Sequence, residues 1–356
     1  MFSLYRIARP LLFALPPEAA HTLAFAAGRI AKTVPGLCGA MELFFGGLRP
    51  SLFRNVAGLD FPGPIGLAAG LDKGAQLLPI WKALGFAFVE IGTVTPRPQP
   101  GNSKPRSFRL ADEELALNRM GFNSEGAEIV ATRLKNRPKG LVVGGNIGKN
   151  KVTPEEDALG DYRMAYRIIA PLVDYVALNI SSPNTPGLRR LQAPELLGPL
   201  LGGMLQTRKE MGLEGQPIFL KLAPDLNNEE LDSTVDAALA SGISGLIATN
   251  TTLDRGIIQK EANRTKVNEW GDGGLSGRPL KPKAQAVQRQ ILQKLKGRLP
   301  LIACGGISSA EDALESLDMG ASLAQLYTAL IFQGPGLVPR IHSHLARSIE
   351  KVAIQQ

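Results

Sequence analysis

Between residues 64 and 327 the chain alternates eight short, continuous apolar runs with longer stretches that carry apolar residues at helical spacing. The runs are Pro64–Ala69, Ala87–Gly92, Leu141–Ile147, Tyr175–Ile180, Ile218–Leu222, Gly245–Thr249, Pro300–Cys304 and Ser322–Tyr327. An unbroken apolar run of this length reads as a strand buried on both faces, which a parallel sheet covered by helices produces. Segments such as Glu229–Ala240 and Pro282–Leu295 supply the helices. Eight such units predict an α/β fold of the closed (β/α)8, or TIM barrel, type. An open doubly wound sheet is the competing arrangement. No G-x-G-x-x-G supports it: Gly271-Asp272-Gly273-Gly274-Leu275-Ser276 comes nearest and ends in Ser, and no Walker A sequence occurs.

Of the 356 residues, 44% are hydrophobic and 20% charged, enough to build a large core and to exclude a disordered chain. Cys38 and Cys304 are the only cysteines, distant from each other and from any histidine, so neither a disulfide framework nor a zinc site is expected. No run of 18 apolar residues marks a membrane span. The net charge of +8 is uneven: residues 1–54 hold Arg6, Arg9, Arg29, Lys32, Arg49 and Arg54 against Glu18 and Glu42. A basic, apolar segment of this kind favours an anionic membrane surface by about 1 kcal/mol per well-placed cation. A targeting peptide or a merely solvated face are the alternatives. Pro10, Pro16 and Pro17 break the apolar stretch that a secretory signal needs. Nucleic acid is not expected as a partner, because no recognisable binding motif accompanies the charge.

Residues 3–13 and 18–32 read as two short helices, the second opened by Pro17. Leu23, Ala27 and Ile30 share one of its faces, and His21 and Phe25 lie four apart on a neighbouring one. Neither helix can form a core alone. Residues 1–45 are therefore expected to be a helical, membrane-facing extension, and residues 46–356 the barrel.

In a barrel the working residues collect at the C-terminal strand ends. Here those ends read Ala69-Gly70-Leu71-Asp72-Lys73, Gly92-Thr93-Val94-Thr95, Asn146-Ile147-Gly148, Asn179 through Asn184, Lys221, Thr249-Asn250-Thr251, Gly305-Gly306 and Tyr327-Thr328. They are amide-rich and contain no histidine. His21, His342 and His344 all lie outside the span from Arg49 to Arg340, which excludes a histidine base or a histidine-ligated metal within the barrel. Paired carboxylates for glycoside hydrolysis are also missing, with only Asp72 and Asp225 nearby. Asn, Ser, Thr and Lys suit a planar ligand rich in hydrogen-bonding groups. Gly305-Gly306 and Tyr327-Thr328, with Gly277 ahead of them, fit backbone binding of a phosphate, although ordinary turns also use glycine.

Lys221, inside the run IFLKL, has three readings: a cation paired with a structural carboxylate, a Schiff-base nucleophile, or a positive charge set against an anionic flavin ring. Lys73 poses the same choice. Ser182 lies in a loop stiffened by Pro183 and Pro186 and turned at Gly187. A serine hydroxyl acts as a base only with a proton relay and a positive surrounding. Otherwise Ser181-Ser182-Pro183 is simply a loop.

Seven segments together resemble the dihydroorotate dehydrogenase family in its membrane-associated, quinone-using class. They are GLAAGLDK (66–73), EIGTVTPRPQPGNSKPRSFRL (90–110), NRMGFNS (118–124), NIGKNK (146–151), NISSPNTPGLR (179–189), ATNTTLDR (248–255) and GGLSGRPL (273–280). The resemblance runs from about His21 through Phe332. It implies an FMN-containing barrel that oxidises (S)-dihydroorotate to orotate in pyrimidine synthesis and passes the electrons to a membrane quinone. It implies Ser182 as the base for the C5 proton, with Thr185 and Phe122 bordering the proton's way out. Substrate would meet Lys73, Asn118, Arg119, Met120, Gly121, Phe122, Asn179, Asn184, Asn250 and Thr251. FMN would contact Ala68, Ala69, Gly70, Leu71, Asp72, Thr93, Asn146, Asn179, Lys221, Thr249, Gly277, Gly306, Tyr327 and Thr328. No metal is implied.

The soluble class of the family has Cys in place of Ser182 and lacks the N-terminal extension, so both features point to the quinone class. His21, Arg109 and Tyr327 are the polar candidates at the inner end of a quinone port. By the same resemblance the chain would be a peripheral protein on the cytoplasmic face of the cell membrane if bacterial, with a monomer expected. A Schiff-base aldolase acting through Lys221 and a non-catalytic membrane-binding protein are the other readings of the same residues.

Overall fold

The computed structural model describes residues 4–355. Residues 1–3 and 356, at the outer ends of the two expected segments, lie outside the described residues, as does the first position of the expected helix 3–13. Helices α1 (Leu4–Ala14), α2 (Pro17–Ala31) and α3 (Leu37–Phe45) come first. Pro17 opens α2, where its missing N–H costs no helical hydrogen bond. The third helix has no counterpart in the sequence reading: it is short, and Leu43 and Phe44 stay exposed, so no apolar face announces it.

A hairpin of β1 (Arg54–Val56) and β2 (Leu59–Phe61) leads into the barrel. The chain continues through β3 (Ile65–Leu67), α4 (Leu78–Ala83), β4 (Phe88–Val94), β5 (Ser107–Leu110), β6 (Leu115–Asn118), α5 (Ala127–Leu134), β7 (Val142–Ile147), α6 (Ala158–Ile169), β8 (Tyr175–Asn179), α7 (Pro194–Glu210), β9 (Ile218–Leu222) and α8 (Asn228–Ser241). It ends with β10 (Gly245–Ala248), α9 (Glu261–Glu269), β11 (Gly274–Gly277), α10 (Lys281–Leu295), β12 (Leu301–Cys304), α11 (Ala310–Asp318), β13 (Leu323–Leu326), α12 (Thr328–Gln333) and α13 (Leu337–Gln355). Strands β3, β4, β7, β8, β9, β10, β12 and β13 close in sequence order into a parallel barrel, and each contains part of one of the eight apolar runs. Local signals match: Asn227 and Glu230 form a reciprocal capping box at the start of α8.

Two-residue alternation sorts each strand's residues. Val89, Ile91, Val176, Leu178, Leu220 and Leu246 pack outward under the helices. Phe88, Tyr175, Phe219, Ile247 and Leu323 fill the barrel interior, and Val56 and Phe61 of the hairpin join them. A methyl group at Gly144 would overlap the ring of Tyr175, so glycine there admits that ring.

The loops after β4 and β10 depart from a plain barrel. They supply β5, β6 and β11, which pair as an antiparallel sheet in the order β11-β6-β5. Its own small core comprises Leu110, Leu115, Leu117, Ile258, Val267 and Leu275.

Helices α1 and α2 pack on this side of the barrel. Arg106 donates to Glu18 at 2.9 Å, and Arg109 donates to the carbonyls of Leu12 and Leu15 at 2.9 and 2.6 Å. Phe13 lies under the Arg109 guanidinium and edge-on to Phe332. Among the described residues no helix is long and apolar enough to cross a membrane.

Candidate active site

A cavity of about 1100 Å³, counting its open mouth, lies over the C-terminal strand ends. Its lining includes Ser182, Asn118, Asn179, Asn184, Asn250, Thr251, Met120, Gly121, Phe122 and Lys73. It also includes Ala68, Ala69, Gly70, Thr93, Lys221, Thr249, Gly277, Gly306, Tyr327 and Thr328. Gly306 has φ +74°, a conformation natural to glycine.

A hydrogen-bonded chain climbs from the barrel interior to this cavity. Glu90, fully buried in β4, accepts from Asn146 at 2.8 Å, Gln325 at 2.7 Å, Tyr175 at 3.3 Å and the Lys221 ammonium at 3.3 Å. Thr93 donates to Asn146 Oδ1 at 2.6 Å, and Asn179 Nδ2 donates to Thr93 Oγ1 at 2.8 Å. Asn250 Nδ2 donates to Asn179 Oδ1 at 3.3 Å and to Ser181 Oγ at 2.9 Å. The amide side chains are thus oriented before any ligand arrives.

Burial pulls the Lys221 amine down, but the Glu90 carboxylate, aided by the Cys304 position, more than offsets this and holds it above its ordinary pKa. Glu90 escaped the sequence reading. Its signal was a carboxylate within the otherwise apolar run AFVEIG, where a charge needs a partner.

Ser182 is buried, and the Asn184 backbone N–H donates to its hydroxyl at 3.3 Å. Asn184 Nδ2 in turn reaches the Asn118 carbonyl at 3.1 Å. On the same loop Thr185 Oγ1 is buried without a hydrogen-bond partner among the described residues. Phe122 has φ +53° and is held by Gln99, which donates to its carbonyl at 2.9 Å. Burial, together with the nearby Arg106 cation, lowers the Lys73 amine to about 8, against a smaller opposing effect of Glu18.

Six candidates sit off the cavity wall. Arg119 turns outward, donating to the carbonyls of Pro105 and Asp272 and covering Phe108. Leu71 belongs to the hydrophobic core. Asp72 accepts from the N–H groups of Gln76 and Leu77 and from Trp81 Nε1 at 2.7, 2.8 and 2.9 Å, which ties it to the turn that leads into α4. Asn146 lies beneath the wall and orients Thr93. Arg109 is engaged by α1. His21 stacks on Phe25 and bonds the Leu71 carbonyl at 3.1 Å, one residue from Gly70, against which Tyr327 packs. Among the described residues no cluster of His, Cys, Asp or Glu could hold a metal.

Fold and site together define a barrel whose mouth is lined by a hydroxyl, a set of amides and two lysines, chemistry of the kind that suits a planar anionic ligand. The family model for dihydroorotate dehydrogenase matches residues 51–349, and the chain belongs to that family. It is 47% identical over 340 residues to the dihydroorotate dehydrogenase (quinone) of Thermobifida fusca, covering 94% of this chain and 90% of that protein. With the protein of the same name from Mycobacterium tuberculosis H37Rv it is 44% identical over 346 residues, covering 97% and 94%. The crystal structure of the Eimeria tenella enzyme in complex with ferulenol superimposes with a TM-score of 0.79 at 34% identity, covering 90% of this chain and 93% of that one.

Proposed function

We propose that the chain oxidises (S)-dihydroorotate to orotate in pyrimidine biosynthesis, using a bound FMN, and delivers the electrons to a membrane quinone. The observation that carries this reading is that one cavity is lined both by Ser182 with its amide neighbours and by small residues and backbone turns such as Ala69, Gly70, Gly277 and Gly306. Small residues and exposed backbone suit a flat ring with a phosphate tail. Gln325 Oε1 is a buried acceptor without a partner among the described residues, and Gln325 and Lys221 both line the cavity. When bound, FMN would supply the hydride-level electron sink that no side chain offers.

The protein's own residues supply the rest. Ser182 Oγ takes the C5 proton as its own hydroxyl proton is passed on, and the Asn184 N–H that donates to this oxygen fixes its orientation. Thr185 Oγ1, buried on the same loop with no partner among the described residues, would be the next acceptor of that proton. Asn118, Asn179, Asn184 and Asn250 hold the pyrimidine ring and stabilise enolate-like charge beside its carbonyl, while Lys73 takes the carboxylate. Ala69, Gly70, Thr93, Lys221, Thr249, Gly277, Gly306, Tyr327 and Thr328 would hold the flavin. The Schiff-base alternative needs a neutral amine, and Glu90 keeps Lys221 charged.

Residues 1–45 form the quinone access segment in this reading. Ile7, Leu11, Leu43 and Phe44 are 71%, 75%, 88% and 71% exposed on the N-terminal helices, a surface suited to peripheral contact with lipid. The reading is tested by the visible spectrum of the purified protein. Flavin bands bleached by dihydroorotate and restored by a quinone are expected; a colourless protein that gains no activity with added FMN overturns it.

A further inference from the structure

Arg189 has no role in the chemistry above, yet its guanidinium joins three loops of the mouth. Its Nε donates to the Ser181 carbonyl at 3.0 Å, its Nη2 to the Thr251 carbonyl at 3.0 Å and its Nη1 to the Asp225 carboxylate at 2.8 Å. Those acceptors belong to the loops after β8, β10 and β9 respectively. Asp225 is fixed in turn: it accepts from the Leu253 N–H at 2.9 Å, from the Thr252 hydroxyl and from Lys283 at 3.0 Å. Arg189 and Asp225 side chains are only 22% and 18% exposed. This ion pair therefore differs from a solvated surface pair, which holds little in place.

The two carbonyls matter because of their neighbours. One belongs to the residue immediately before Ser182, the other to Thr251, next to Asn250. The segments also meet on their far side, where a Cβ at Gly274 would touch both the Thr251 side chain and Pro183. A planar guanidinium with donors in a fixed fork can hold three acceptors at set angles; a lysine ammonium on a flexible stem cannot.

We propose that Arg189, braced by Asp225, is a positioning residue that sets the Ser182 hydroxyl against the substrate held by Asn250 and Thr251. The inference rests on the reading of Ser182 as the proton acceptor. It differs from a general structural role because the effect passes through Ser182 and its loop.

The test uses Arg189→Lys in the FMN-loaded full chain, alone and combined with Ser182→Ala, with flavin reduction by dihydroorotate followed in a single turnover. A displacement of the base by about an ångström predicts a loss on the order of 10–100-fold in the first background. With Ser182 already removed, the further loss should be under about twofold, since coupled residues are not additive. An equal loss in both backgrounds overturns the proposal. Hydrogen exchange gives a second readout independent of the reaction: amides 181–189 and 251–253 should exchange faster in the variant while those of α7 and α10 do not. Unchanged exchange in both loops also overturns it. Asp225→Asn, which keeps the side-chain shape, should reproduce both patterns and decides the matter if Arg189→Lys folds poorly. Wild-type protein that is not bleached by dihydroorotate would sink the functional reading instead, while the exchange result still reports on the Arg189 fork.

Discussion

Lys221 and Glu90, from strands on different sides of β7 and β8, meet inside the barrel at 3.3 Å with side chains 5% and 0% exposed. Neither charge has water to turn to. Removing one partner of such a pair typically costs about 3–5 kcal/mol, because the other is left buried and uncompensated. Lys221→Ala should therefore lower the melting temperature and weaken flavin retention together. Thermal denaturation and the flavin-to-protein absorbance ratio measure the two effects. Borohydride treatment in the presence of substrate should leave no adduct on Lys221, as mass spectrometry of its peptide would report.

Ser182→Ala should reduce the rate of flavin reduction roughly 10²–10⁴-fold, the usual worth of a positioned proton acceptor. Orotate binding should barely change, since the amides that hold the ring remain. Stopped-flow absorbance and a spectral titration separate the two quantities. Equal turnover in the variant would remove Ser182 from its role.

Lys73 gives the site a pH dependence. Its amine titrates at about 8, lowered by burial and by Arg106, so the ammonium is fully present below that pH and lost above it. Affinity of the free enzyme for orotate should hold steady at lower pH and fall as the pH rises through about 8, by up to about tenfold per unit. Glu18→Gln removes a charge that favours the ammonium and should move the break to lower pH. Titrations across pH 6–10 in both proteins decide this; a flat profile would mean that Lys73 does not hold the carboxylate.

Deleting residues 1–45 should leave dihydroorotate-driven bleaching of the flavin in place while abolishing reoxidation by a long-chain quinone. A gentler probe is Leu11→Glu with Phe44→Glu, which places charge at two exposed apolar positions. Sedimentation with anionic vesicles should then weaken by roughly tenfold or more, as apolar area is lost from the lipid contact. Undiminished vesicle binding and quinone turnover in these proteins would refute the access assignment.

The sequence by itself determined the barrel. Eight apolar runs encode burial on both faces, and the helical stretches between them permit little but closure into parallel units. It also located most of the cavity wall, because strand ends carry the functional residues in this architecture and the loops with Ser182, Lys73 and Asn250 are local in the chain. Tertiary structure decided what local spacing does not encode. Strand β11 joins β6 from more than 150 residues away, and Ile258 and Val267 pack against Leu115, Leu117 and Leu275 of those two strands. Glu90 went unremarked in its strand, and its role emerges only where Lys221, Asn146 and Gln325 converge on it. Asp72 and Arg119 adjoin site residues in the chain but turn toward backbone groups instead. A charge or a hydrogen-bond donor is settled by whichever partners the fold brings within reach, and for these residues the partners lie on other strands and loops.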